Sequence, residues 1–471
     1  MIQNDFIFST KTLNIIGFKQ YVFEDKFLYL HEKANVEILL NENGNLLSFI
    51  IGDYFRLNNE THGFEKLHLV NSIEKEIYYW SGRFVLFVNG IFYNDFAALY
   101  HIYYSVEHGI VSNSLRVLNN LGFRKDEEII SEFWKNSETL DWVPPPKTIF
   151  KEFRVMLPFQ SINSNFCMDF LNYNKISKID MSDIHILDKT IKDYVIYLAE
   201  NLKGNYQLAL TGGHDSRMLL YAFLTNTKKI EAVLFDHQKL SFSDLLGFKF
   251  LSKNFKICSN FIKKSILYKC KYEIRQKQFD EYCQQSCKEV DRHFFSTRQL
   301  FSEKKRIMFR ANVLSEIFRT KNYNKFDINN VSADGMIENL KKKYNFGPEK
   351  EKALRLWYDM RVQDSIVFEE FKDWRKLFWL DQRSTGWVGY IDAAVQVANY
   401  QYINLYNSPA FFYLFQNYSE RLDCDQDFQE VFLRNNKPDL LEIPFNVKDI
   451  YFIRNKHIRN MCKYLIKLTT S

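Results

Sequence analysis

The chain has 471 residues, 46% of them hydrophobic and 17% aromatic, with a net charge of +6. That length exceeds one ordinary core and predicts two domains, residues 1–180 and 181–471. Charges of both signs are interspersed, and no zinc finger, RNA-binding aromatic motif or basic-zipper pattern occurs, so no nucleic-acid partner is expected.

No run of about eighteen uncharged apolar residues is found, so no membrane span is predicted. The opening MIQNDFIFSTKTLNIIGFKQ has no basic leader before an apolar stretch, which predicts a cytoplasmic location. Seven scattered cysteines (Cys167, Cys258, Cys270, Cys283, Cys287, Cys424 and Cys462) fit reduced thiols better than a disulfide framework. Cys283 and Cys287, with only His293 nearby, fall short of the four spaced ligands zinc usually takes. The densest basic run, Lys341–Lys343, reads as a solvated helix end.

Up to about residue 180 the chain reads as mostly β. Short apolar runs at Val22–Leu30, Val36–Leu40, Leu47–Gly52 and Arg83–Asn89 alternate with turn signals at Asn41–Asn45 and Asn89–Gly90. Trp142–Lys147 (WVPPPK) holds three of the eight prolines and is a stiff connector into a last β portion, Thr148–Asn174. Ile186–Leu202 then shows helical apolar spacing. A strand at Tyr206–Leu210, a helix from about Ser216 to Asn226 and a strand at Ile230–Phe235 open a parallel α/β sheet. After about residue 240 most of the chain reads helical, with one more strand at Arg306–Arg310.

The string Thr211-Gly212-Gly213-His214-Asp215-Ser216 carries the chemistry. Between an apolar strand and an apolar helix it sets backbone N–H groups at a helix N-terminus, which suits a phosphate or pyrophosphate. Two glycines allow backbone angles and an approach that a side chain would block. Thr211 and Ser216 add hydroxyls, and Arg217 is a candidate source of positive charge. Asp215 would repel phosphate unless it serves as a ligand for bridging Mg²⁺. A plain strand–turn–helix with Asp and Ser as N-caps is the competing reading. The full string favours nucleotide binding. It is not a Walker loop.

The loop resembles that of the asparagine synthetase family, Ser-Gly-Gly-x-Asp-Ser, with Thr211 in place of the first Ser. Ser81–Phe87 (SGRFVLF), Asp95, Tyr103–Tyr104, Val111–Leu115 (VSNSL), Thr148-x-Phe150 and Leu157-Pro158 look like that family's N-terminal glutaminase-type domain. Downstream, Ala311–Phe318 (ANVLSEIF) is similar to Gly-x-Gly-x-Asp-Glu-x-Phe. Leu380–Trp387 (LDQRSTGW) is similar to an Arg-containing helix, and Asn407–Phe412 (NSPAFF) to a later loop.

The resemblance implies an α/β protein. Its N-terminal part would be an Ntn-type αββα sandwich; its C-terminal part would be a parallel α/β ATP-pyrophosphatase domain of the adenine nucleotide α-hydrolase-like kind, with many helices. Three departures shape the functional expectation. Residue 2 is Ile2 rather than the catalytic Cys, so the first domain lacks its nucleophile, as in β-lactam synthetase and lasso-peptide cyclase relatives. Ser315 stands where the family has a second Mg²⁺-binding Asp, leaving Glu316. Ala311 and Val313 replace two glycines.

The resemblance therefore implies ATP and Mg²⁺ as cofactors, the metal on Asp215 and Glu316. The nucleotide set is Leu210, Thr211, Gly212, Gly213, Asp215, Ser216, Arg217 and Phe235. Lys448, Glu316 and Arg383 are the catalytic candidates, with Lys456 competing with Lys448 and with Glu369, Glu370 and Asp381 at substrate-side positions. The expected reaction is adenylation of a carboxylate followed by transfer to an amine whose nitrogen does not come from glutamine. A peptide, a small molecule or a surface-polysaccharide sugar would be the setting, and a separate glutaminase, a precursor peptide and an oligomer stay open as partners. The alternative is a catalytically inactive relative acting as a binding or maturation partner.

Overall fold

The computed structural model describes residues 4–57, 61–133, 140–173, 184–201, 206–224, 230–235, 242–262, 306–310, 317–318, 332–363, 374–396, 400–420, 422 and 427–442. It is mixed α/β, with antiparallel sheets followed by a parallel one.

The first strands are β1 (Phe6–Ser9), β2 (Phe18–Phe23), β3 (Lys26–His31), β4 (Val36–Leu40) and β5 (Leu46–Arg56). Helix α1 (Ile73–Ile77) leads into β6 (Trp80–Val88), β7 (Ile91–Asn94), β8 (Tyr103–Ser105) and β9 (Ile110–Ser112). Helices α2 (Leu115–Asn120) and α3 (Glu127–Phe133) precede β10 (Arg154–Val155), β11 (Gln160–Asn163) and β12 (Met168–Phe170). These strands form two six-stranded antiparallel sheets, β10-β8-β9-β1-β3-β2 and β12-β11-β7-β6-β5-β4. Alternating apolar residues face inward from both: Phe6, Phe8, Leu28 and Leu30 meet Phe49, Ile51, Phe87 and Phe92 in one buried layer. Edge-to-face and tilted rings join the sheets, Phe6 to Phe49 and Phe8 to Phe87, both at 5.4 Å. The single run Val22–Leu30 is in fact two strands, because Glu24 turns into the left-handed region (φ 51°) and starts a hairpin.

The second half begins with α4 (Ile184–Asn201), β13 (Tyr206–Ala209), α5 (His214–Leu224), β14 (Ile230–Phe235), α6 (Phe242–Asn254) and β15 (Cys258–Ile262). After β16 (Arg306–Arg310) come α7 (Ala333–Lys341), α8 (Pro348–Gln363) and α9 (Trp374–Phe378). A π-helix (Trp379–Val388), α10 (Gly389–Gln396), β17 (Tyr400–Asn404), α11 (Pro409–Ser419) and α12 (Phe428–Asn436) complete the elements. The sheet is fully parallel, in the order β15-β14-β13-β16-β17.

Two of its strands, β15 and β17, depart from the expectation of a single strand after residue 240. Both are short and mix polar with apolar residues, CSNFI and YQYIN, so neither shows the apolar run of a buried strand. Their pairing comes from partners far away in sequence: Cys258 sits opposite Glu231, and Tyr400 opposite Arg306. The run Lys341–Lys343 does end a helix, with Lys341 paired to Glu351 at 2.7 Å. Cys167 and Cys258 are exposed free thiols. Cys283, Cys287 and His293 lie outside the described residues. Among the described residues no helix is long and apolar enough to cross a membrane.

Hydrogen bonds from buried groups join the strands of the first half to segments of the second. Ser81 Oγ donates to Leu405 O (3.0 Å), Thr385 Oγ1 to Ala97 O (2.9 Å), and Arg361 Nη2 to Pro158 O (2.9 Å). Both oxygens of Glu132 accept from the first turn of α8, from Glu349 N at 2.7 Å and Lys350 N at 2.9 Å. That places a carboxylate on a helix N-terminus, where the dipole favours it. The proline connector is buried rather than looped out, and Pro145 O accepts from Gln382 Nε2 at 2.7 Å.

Candidate functional site

In the parallel sheet the chain runs from β13 outward to β14 and β15, then crosses back to β16 and β17 on the other side. The order reverses between β13 and β16, which pair with Leu208 opposite Phe309. In open α/β sheets the crevice outside the carboxyl ends of the strands at such a reversal receives ligands. The Thr211–Ser216 loop leaves the carboxyl end of β13 there and runs straight into α5.

The loop is held by its own hydroxyls. Ser216 Oγ accepts from Thr211 N at 3.0 Å and lies 2.7 Å from Thr211 Oγ1, which accepts from Gly213 N at 3.2 Å. Leu210, 1% exposed, donates its N–H to Val233 O at 3.1 Å and ties the loop's start to β14. Phe235 is the last residue of that strand. Among the described residues, a side chain at Gly213 would meet only Thr211 Oγ1, at 3.5 Å, and its backbone is not in the left-handed region. The described residues therefore make no demand for glycine at 213 and leave room beside it.

Arg217 is placed differently from the expected source of charge. Its guanidinium is fully buried and donates to Gly212 O (3.1 Å) and Leu440 O (2.7 Å), and burial lowers its pKa to about 10. It supports the loop from beneath. His214 is 9% exposed, with Nδ1 3.7 Å from Asp427 Oδ1, so it packs rather than facing solvent. Asp215 is partly buried, and its Oδ1 accepts from Gln429 Nε2 at 2.8 Å.

Two residues that the sequence reading missed shape the loop. A Cβ on Gly247 of α6 would sit 2.3 Å from Gly212 Cα, so only glycine lets that helix touch the loop backbone. Gly247→Ala is expected to cost about 1–3 kcal/mol by overpacking and, if the loop is the expected nucleotide site, to weaken binding there as well. Thermal melting alongside nucleotide titration checks this, and an unchanged melt would contradict the contact. The other residue is Gln429. No local pattern marked either position, because one touches the loop from another helix and the other from more than two hundred residues away.

Glu316 and Ser315 lie outside the described residues, as do Lys448, Lys456, Glu369 and Glu370. The residues just after Glu316 are described: Ile317 is fully buried, and the Phe318 ring lies 6.1 Å from that of Phe428, next to Gln429. Arg383 stands half-buried on the π-helix with its guanidinium over Trp387 (4.4 Å), Trp379 (5.1 Å) and Trp142 (5.9 Å). Its buried Nε has no hydrogen-bond partner among the described residues. Trp387 packs in turn against the buried cluster of Val233, Met308, Ile391 and Tyr402. Asp381 is committed elsewhere. It is fully buried and accepts from Arg361 Nε (2.6 Å) and Nη2 (2.8 Å) and from Trp357 Nε1 (2.7 Å).

Motif residues from the two halves meet at a separate buried seam. Asp95 accepts from Leu99 N (2.9 Å), Tyr100 N (2.8 Å) and Asn407 Nδ2 (2.7 Å), and Asn407 Oδ1 accepts from Ala97 N (2.9 Å). His101 is buried, and burial lowers its pKa to about 3; the neutral ring places a proton on Nε2 for Thr385 O at 2.8 Å. Burial also raises Asp95 to about 6 despite its donors. A carboxyl raised above its unfolded value stabilises the fold fully below about pH 4, and that contribution is lost as pH rises through about 6. Measured by urea unfolding, the stability of wild type relative to Asp95→Asn is expected to fall from pH 4 to 6. A flat difference would contradict the burial argument.

Among the described residues no cluster of three or more His, Cys, Asp or Glu forms a metal cage. A single carboxylate at the loop nonetheless fits Mg²⁺ held mainly by phosphates and water, its usual binding mode with nucleotides. In comparisons with known proteins, no family model and no curated protein matches the chain.

Proposed function

We propose that the chain is an AMP-forming, ATP-dependent carbon–nitrogen ligase of asparagine synthetase type. Residues 1–180 would be a glutaminase-like Ntn-type αββα domain without its nucleophile, and residues 181–471 the ATP-pyrophosphatase-like synthetase domain. The observation that carries this reading is the glycine-rich loop at the reversal point of the parallel sheet, open at Gly213 and backed by the α5 N-terminus. ATP is the substrate whose phosphates the loop binds. The N–H groups of the α5 first turn and the hydroxyls of Thr211 and Ser216 orient the chain of phosphates, and Leu210 and Phe235 border the nucleotide. Asp215, with Glu316, would hold Mg²⁺, which would supply charge neutralisation when bound.

The substrate carboxylate oxygen then attacks the α-phosphorus and pyrophosphate leaves, its charge met by donors already in place. An amine nitrogen next attacks the acyl carbon, AMP departs, and the nitrogen gives up its proton to a base. Lys448 is the proposed group that steadies the charge of acyl transfer, and Arg383, with no acid beside it among the described residues, the proposed substrate-side cation. In this reading the amine is an external one. Product accounting tests the reading: one AMP and one pyrophosphate per amide formed support it, and ADP with phosphate would overturn it. Ser315 in place of an acid favours a second reading, an inactive relative that binds ATP without turnover and serves as a binding or maturation partner.

A further inference from the structure

Helix α12 meets the loop helix α5 at several points. Asp427, the N-cap of α12, accepts from Gln429 N at 3.1 Å and faces His214 at 3.7 Å. One turn further along α5, Arg217 reaches Leu440 O just beyond α12, and Tyr221 stacks edge-on against Phe432 at 5.2 Å. Within this contact Gln429 is fully buried and donates to Asp215 Oδ1 at 2.8 Å. The choice of partner is informative. A lysine or arginine at 429 would add a positive charge beside Asp215, whereas an amide fixes one carboxylate oxygen without adding charge. Groups that orient a metal ligand in this way tune metal affinity nearly as strongly as the ligand itself.

We infer that Gln429 is a positioning residue that orients the Asp215 carboxylate for Mg²⁺ as ATP binds. This rests on the reading of the loop as an ATP site. The packing of α12 makes the orientation part of the fold rather than of the loop alone, so the 427–441 segment sets how readily the loop takes a magnesium nucleotide.

Calorimetric titration of ATP into wild type and Gln429→Leu, at a series of MgCl₂ concentrations and in EDTA, tests it. The variant is expected to need about 10–100-fold more Mg²⁺ for half-maximal ATP binding, while its ATP affinity in EDTA matches wild type. A purely structural role would shift both arms together or neither, and an equal Mg²⁺ requirement in the two proteins overturns the inference. Should the leucine variant fail to fold, Gln429→Met keeps the side-chain length and removes the same donor. Wild type that binds no ATP in either arm would instead overturn the loop reading itself.

Discussion

Asp215→Ala is expected to abolish Mg²⁺-dependent pyrophosphate release while leaving the protein folded. The residue lies in the first turn of α5, partly exposed, and its Oδ1 accepts from the neutral amide of Gln429. Losing that acceptor costs about 1–3 kcal/mol. The catalytic loss is larger, because charge gathering on the leaving pyrophosphate would no longer be met by a fixed cation. Loss of one preorganised electrostatic contact typically lowers turnover by about 10²–10³-fold. Rapid-quench measurement of pyrophosphate, with melting curves on the same preparations, reads both quantities. A variant that releases pyrophosphate at the wild-type rate would remove Asp215 from the site.

Gly213→Ala separates the needs of the fold from those of a ligand. The added methyl meets Thr211 Oγ1 at an ordinary 3.5 Å, and the backbone there suits any residue. Replacing glycine at a compatible position stabilises by about 0.4–1 kcal/mol through the unfolded chain, so the melting temperature should hold or rise. Nucleotide affinity should fall by about tenfold or more, equivalent to about 1.4 kcal/mol, because in the proposed reading a methyl would stand where phosphate oxygens approach the backbone. The expected pattern is a protein that is more stable yet binds less tightly. Unchanged ATP affinity would mean that the open side of Gly213 faces nothing of consequence. Gly247→Ala should lower stability as well as affinity, because there the clash lies within the protein at 2.3 Å from Gly212 Cα.

What was legible in the sequence follows the range of the interactions. The Thr211–Ser216 loop could be read because strand, glycines, hydroxyls and helix lie within a dozen residues, and β4, β5 and β6 showed as short apolar runs. The hairpin at Glu24 was missed because its only local sign is a pair of acidic residues. Strands β15 and β17 were missed because parallel pairing draws on partners such as Glu231 and Arg306. Arg217 illustrates the same limit in the site. Its place in the motif suggested an anion ligand, but burial gives its donors to Gly212 O and Leu440 O, the second of which is 223 residues away. Asp381 looked like a substrate-side acid until Arg361 and Trp357 were found around it. The Asp95–Asn407 seam brings together motif strings that had been read one by one.

The central claim is that the loop binds ATP so that a carboxylate can be adenylated. Exchange of labelled pyrophosphate into ATP, measured on the wild-type chain with MgCl₂ and a panel of carboxylic acids, tests it most directly. Exchange that requires both the metal and a particular acid, and that proceeds without any amine, is the expected result. ATP binding with no exchange for any acid would leave the inactive-relative reading in its place, and wild type that binds no magnesium ATP would contradict the account at its root.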